Sequence, residues 1–232
     1  MICIKKNLMV TTEKSGEDCA HFFKAAYDNR YTWDSDFSGY EGSCTWSDGE
    51  REIKGSFCLR KDLKTTINQI EDEKIHKAIS SQLWEVAIHR VRRSFEQTHG
   101  QNTFTYGDIN EIGSEVIVGG KNEGDKYRVK NNVVRMVYRH IHGNLIVILT
   151  EDVTHTGNGY LSKSYSSQYL DPISKKDLKG RSFYNDNFVP LYKGGPWVLA
   201  SRSTHKESSE GSIINKQVFS FSEMQSLASE KG

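Results

Sequence analysis

From Asn102 to Met224 the chain reads as one short extended segment after another. "NTFTYGD", "GSEVIVGG", "DKYRVKN", "NVVRMVYRHI", "NLIVILTEDV", "GYLSKSYSSQYL", "GRSFYNDNF", "WVLASRSTHK" and "NKQVFSFSEM" are separated by short stretches rich in turn residues. Short connections make consecutive segments antiparallel neighbours. Strand twist accumulates across a wide sheet, so this many strands must curl or close. Pro172, Pro190 and Pro196 fall near proposed strand ends, where a missing N–H is tolerated. "LIVIL" (145–149) is apolar at every position, which predicts a central strand covered on both faces.

An earlier stretch, "YEGSCTWSDGEREIKGSFCLR", adds a hairpin. Asp48-Gly49 is a favoured two-residue turn, which pairs Ser47 with Glu50 and Trp46 with Arg51. Tyr40, Cys44 and Trp46 then share a face with Ile53, Phe57 and Leu59. Cys44 and Cys58 fall on opposite faces, which argues against a disulfide between them. "LKTTINQI" adds a third strand. The total is about ten to eleven.

Two helices complete the inventory. Cys19, Phe22, Phe23, Ala26 and Tyr27 recur at helical spacing, giving a first helix from about Ser15 to about Asn29. Asp72 opens a second, expected to run unbroken over 72–97. Wound at about 100° per residue, it carries an apolar sector of roughly 220°, from Ile75, Ile79, Leu83, Val86 and Ala87 round to Trp84, Ile88, Val91 and Phe95. Only Arg90 interrupts that sector. Its polar side holds Glu85, His89, Arg92, Arg93 and Glu96. The i,i+4 spacing brings these together as a solvated face, or as a catalytic or anion-binding cluster of Glu85, His89, Arg93 and Glu96.

Charge and cysteines narrow the function. There are 31 basic and 30 acidic residues in 232, a formal charge of +1, so no protein-wide basic field attracts nucleic acid. The four cysteines show no C-x-x-C spacing. Leu8-Met9-Val10 is too short for the apolar segment of a signal peptide, and no stretch reaches the length of a membrane span. The expectation is a soluble, cytoplasmic protein made in a reducing compartment. Residues 1–14 are expected to be a flexible arm and 15–228 a single domain.

Motifs for chemistry are sparse. His140 and His142 would project to one face of a strand, but spacing fixes no third ligand, so no metal or cofactor is expected. "SFSEM" lacks the glycines of a nucleophile elbow, and "VGGKNEGD" has neither G-K-[ST] nor G-x-G-x-x-G. No catalytic residue is assigned.

"FKAAYDNRYTWDSDFSGYEG" and "HRVRRSFEQTHG", with the hairpin between them, resemble an uncharacterised family of cyanobacterial and plastid proteins, a domain of unknown function. The resemblance runs from about Phe22 to Phe221 and implies a soluble protein of a photosynthetic cell. In layout the chain is similar to the lipoprotein-carrier fold, with a helix before a curved antiparallel sheet and helices over an apolar concavity. That fold's Gly-Gly-aromatic passage would be Gly194, Gly195, Trp197 and Val198 here. The missing leader is a departure from carriers of that kind. Calycin-type barrels fit less well, because of the first helix and the helical insert.

The expected fold is therefore α+β: a highly curved antiparallel half-barrel or open barrel, with the helix 72–97 in or over its concave face. The expected function is non-enzymatic binding of an apolar or amphipathic ligand (lipid, pigment or isoprenoid), with Trp33, Tyr40, Trp46, Phe57, Trp84 and Phe95 as candidate ligand-binding residues. The alternatives are an assembly or chaperone factor that meets a protein partner through "RYTWDSDF", and an enzyme using the Glu/His/Arg cluster.

Overall fold

The computed structural model describes residues 16–208 and 211–228. The expected arm, 1–14, lies outside them. The elements are α1 (Gly16–Asp28), β1 (Gly39–Ser47), β2 (Glu52–Arg60), β3 (Thr65–Asn68), α2 (Glu73–Ile88), α3 (Phe95–His99), β4 (Asn102–Asn110), β5 (Gly113–Gly120) and β6 (Lys126–Lys130). Then follow β7 (Val133–Ile141), β8 (Asn144–His155), β9 (Tyr160–Leu170), β10 (Arg181–Pro190), β11 (Trp197–Glu207) and β12 (Ile213–Ser226).

All twelve strands form one antiparallel sheet, in the order β3-β2-β1-β12-β11-β10-β9-β8-β7-β6-β5-β4. β4 to β12 is an uninterrupted meander, as the short connections require. The N-terminal hairpin joins its far end, with Cys44 opposite Phe221 and Trp46 opposite Phe219. β3 and β4 are the two edges and do not pair, so the sheet is open.

The hairpin keeps its expected faces with a longer turn. Ser47 pairs with Glu52 and Trp46 with Ile53, a shift of two residues from the two-residue-turn register. The Asp48 carboxylate accepts from the Glu50 and Arg51 N–H groups (3.1 and 2.8 Å), and this local turn displaces the tighter one. An even shift leaves every side chain on its own face. Cys44 and Cys58 stay apart, and both are free thiols.

The unbroken helix over 72–97 is not formed. Asp72 caps α2 as expected, accepting from the Lys74 and Ile75 N–H groups, but the helix ends at Ile88. Two competing bonds end it. The Arg90 carbonyl accepts from the Trp33 N–H at 2.8 Å, and Ser94 opens α3 with a capping box shared with Gln97. Ile75, Ile79, Leu83, Val86 and Ala87 are buried as expected. Trp84, placed in the same apolar sector, is 51% exposed, and Val91 is also exposed.

Directly paired residues share a face in an antiparallel sheet, so register traces one face across all the strands. Trp46, Phe219, Arg202 and Asp186 lie in one row. Thr204, Tyr184, Tyr165 and Thr150 form the next. Ile148, Val137, Tyr127 and Val116 continue the face toward β4. Every helix packs on this face. α2 joins residues of β1–β3, β9–β12 and the 31–33 connection in the larger core, which includes Tyr40, Leu83, Leu161 and Phe219. α1 and α3 join β4–β7 in a second core around Phe23, whose ring lies 4.4 Å from that of Tyr127. Each fully buried side chain of this size stabilises by roughly 1.5–3 kcal/mol.

β8 departs from expectation. It is central, eighth of the twelve strands in that order, yet Ile146, Val147, Ile148 and Leu149 are only half-buried. The helices sit to either side of β8 and leave its middle uncovered.

Candidate functional site

The strip between the two helical covers has a mixed surface. By register, Val137 of β7, Ile148 and Ile146 of β8, and Tyr169 of β9 point toward the helices, and all four are half-buried. Next to them the Tyr165 and Tyr184 rings stack, with centroids 4.7 Å apart and planes 9° from parallel. Aliphatic groups thus lie at one end of the strip and phenols in its middle.

α2 borders the strip through a polar network. Arg202 on β11 grips Asp186 on β10 with two bonds, Nε to Oδ1 at 2.7 Å and Nη2 to Oδ2 at 2.6 Å. The same guanidinium donates to the Tyr165 hydroxyl (2.7 Å) and to Gln82 Oε1 of α2 (2.9 Å). Tyr165 in turn donates to Glu85 Oε1 at 3.2 Å. Burial pushes the Asp186 carboxyl upward and the Tyr165 phenol well upward. Arg202, surrounded by four acceptors, stays charged, and the forked geometry is that of an ionised carboxylate. The polar side of α2 is therefore bonded into the sheet rather than simply solvated.

One turn beyond Glu85 is His89. Its ring is open to solvent, yet its pKa is pushed down to about 4, by desolvation first and then by Arg90, Arg30, Arg202 and Arg93. Arg90 is buried, and desolvation pushes its pKa down to about 10. Its Nη1 donates to the Tyr31 carbonyl at 2.9 Å, while its Nε has no partner among the described residues.

The six candidate aromatic residues do not form one surface. Trp33, Tyr40, Trp46 and Phe57 are buried in the larger core, Phe95 is buried in the second, and Trp84 lies in solvent. Trp33 donates its indole N–H to the Trp197 carbonyl at 2.9 Å, so the central aromatic of "RYTWDSDF" is turned inward. The polar cluster also divides. Glu85 and His89 border the strip, but the Arg93 carbonyl accepts from the Tyr27 hydroxyl and Glu96 pairs with Lys24 at 3.0 Å. The helix break at Ile88 removes the i,i+4 relation on which that cluster depends. His140 and His142 separate too. His140 Nδ1 lies 3.2 Å from Asp125, while His142 sits in a left-handed turn with φ of 48°. Among the described residues no three His, Cys, Asp or Glu side chains converge on a metal position.

Sequence reasoning missed Asp186, Arg202, Tyr165 and Tyr184. One signal was present: Tyr184, Asp186 and Phe188 alternate, which places a charge on an inward stripe of β10. Its partner was hidden by the bulge between Asn187 and Phe188, which shifts the pairing of β11.

Two surface depressions, of about 540 and 490 Å³, lie elsewhere, one beside Ile70 and His76 and the other beside Lys130 and Arg135. Neither is lined by the tyrosine stack or by the charged residues around His89. No helix among the described residues is long and apolar enough to cross a membrane.

The fold is similar at low level to three solved structures. A domain described as an outer membrane lipoprotein-sorting protein from Vibrio parahaemolyticus has a TM-score of 0.35 and 8% identity, covering 94% of each chain. A LolA superfamily protein from Nitrosomonas europaea has a TM-score of 0.30 and 9% identity, covering 90% of this chain and 94% of that one. A DUF1329 family protein from Desulfovibrio piger has a TM-score of 0.26 and 11% identity, covering 91% of both. No curated protein gives a significant match. The family model described as "Protein of unknown function (DUF3386)" matches residues 14–227, nearly the whole chain, and the protein belongs to that family.

Proposed function

We propose that this protein binds one apolar or amphipathic molecule on the helix-bearing face of its sheet, in the strip between α2 and the α1/α3 pair. In this reading the twelve twisted strands curl toward the helix-bearing face. The observation that carries the reading is that Ile146 and Ile148, on a central strand, are only partly buried. Central strands in large sheets are normally covered, and an apolar floor flanked by polar groups is the usual form of a small-molecule site. The stacked Tyr165 and Tyr184 add a rigid amphipathic wall.

The test is titration with Nile red, a neutral apolar dye whose emission rises on leaving water. The wild-type protein gives one saturable site. Ile148→Lys places a charge on the floor and abolishes uptake while lowering the thermal midpoint by only a few degrees, so that the variant is still folded in the titration. Absence of uptake, or uptake unchanged in the variant, overturns the reading.

A further inference from the structure

The strip is polarised along β9. Arg30 bridges to Tyr160 at the start of that strand, and Arg90 lies over the Phe188 ring at 5.8 Å, within electrostatic reach of Tyr160 and Tyr165. The aliphatic floor lies opposite Ser167 and Tyr169. Tyr160 and Ser167 are seven residues apart, a span of about 23 Å along an extended strand. The unpaired arginines thus gather at one end and the aliphatic side chains at the other, where Arg139, opposite Ile146, is already paired with Asp125 and Lys179 lies over the Tyr169 ring.

The charged end is short of anions. Among the described residues no carboxylate lies within 4 Å of Arg30 or Arg90, whereas Arg202 has both Asp186 and Glu85 at that distance. Arg30 Nε donates to the Tyr27 carbonyl, and its guanidinium lies 3.6 Å from the centre of that ring. Arg90 is nine-tenths buried with an orphan Nε. Asp186 acts on Arg90 only from a distance and is itself forked to Arg202; a buried cation with no counter-charge in contact is costly, and an anion bound there would complete it. Exposed His89 follows α2 next to Arg90 and lies within electrostatic reach of both arginines.

We infer that the ligand is an anionic amphiphile, its carboxylate or phosphate held by Arg30, Arg90 and His89 and its hydrocarbon chain laid over Tyr165 toward Ile148 and Ile146. This deepens the binding reading above and rests on it. An acyl chain of ordinary length fits the span, and the guanidinium groups suit the planar, forked geometry of such headgroups.

The experiment compares oleate with oleyl alcohol, which share a chain and differ in charge, by calorimetric titration below their micellar concentrations. Oleate binds about tenfold tighter than the alcohol, the difference expected for charge-assisted hydrogen bonds in a partly desolvated site. Arg30→Gln and Arg90→Met each remove most of that preference, weakening oleate far more than the alcohol. Arg30 is half-exposed, so its variant remains informative if Arg90→Met fails to fold. Equal affinity for the two ligands overturns the headgroup assignment and leaves apolar binding standing. Binding of neither overturns both. Binding of inorganic phosphate or acetate as tight as that of oleate identifies a free-anion site and overturns the amphiphile.

Discussion

Arg202 and Asp186 face each other across β11 and β10 with both side chains 1% exposed, joined by two hydrogen bonds of 2.7 and 2.6 Å. The pair lies in the same row as Phe219 and Trp46, on the face that carries the helices. It fixes α2 to the sheet through Gln82 and, by way of Tyr165, through Glu85.

Asp186→Ala should strand a buried guanidinium and cost about 3–5 kcal/mol. The double variant Arg202→Met, Asp186→Leu should recover most of that loss, because two apolar groups of similar size leave no charge uncompensated. Urea unfolding of the three proteins, at constant m-value, measures both effects. A double variant no more stable than Asp186→Ala would show that the network itself holds α2.

His99 predicts a pH dependence. It is buried in a box formed by Phe23, Tyr27, Phe95, Phe104 and Tyr127, and its pKa is pushed down to about 4, by desolvation first and then by Arg139. The folded state therefore binds fewer protons than the unfolded chain between pH 6.5 and 4. Stability is full above pH 6.5 and falls as the pH drops toward 4, by up to about 3 kcal/mol from this residue. His89 acts in the same direction. His99→Phe should flatten most of this slope in denaturant midpoints measured across the window.

Ser94 reports on the helix break. Ser94→Ala removes the cap of α3 and should cost about 1 kcal/mol. A continuous helix through this segment would instead gain from alanine, so the sign of the change separates the two arrangements.

The meander was legible because each strand carries its own turn punctuation, and the faces of the hairpin survived an error in turn length because that error was even. The helix break was not legible. The apolar periodicity of 72–97 continues through Val91 and Phe95 and masks the local capping box of Ser94 and Gln97, while the other bond that ends α2, from the Trp33 N–H, is tertiary and no local pattern encodes it. The dispersal of the aromatic candidates has a related reason. Trp33, Tyr40, Trp46 and Phe57 are as apolar as any ligand floor, and composition does not distinguish a filled core from an open one. Half-exposed Ile146 and Ile148 came from a run that the sequence marks as fully covered. Their exposure depends on where the helices stop, which is a property of the assembled fold.

Truncation should separate floor from core. Ile148→Ala should cost about 1 kcal/mol, because the site is already half open, whereas fully buried Leu161→Ala should cost about 2–5 kcal/mol. Chemical denaturation of both variants checks the ranking. Similar losses would place Ile148 in a closed core.

The most direct measurement is paramagnetic broadening of isoleucine methyl signals by a nitroxide-labelled stearate. The binding account predicts selective, saturable broadening of Ile146 and Ile148. Ile109 and Ile173, which are 77% and 90% exposed and lie outside the strip, serve as controls for adsorption and should be unaffected. Broadening that simply follows exposure, strongest at Ile173 and weakest at Ile148, would contradict it.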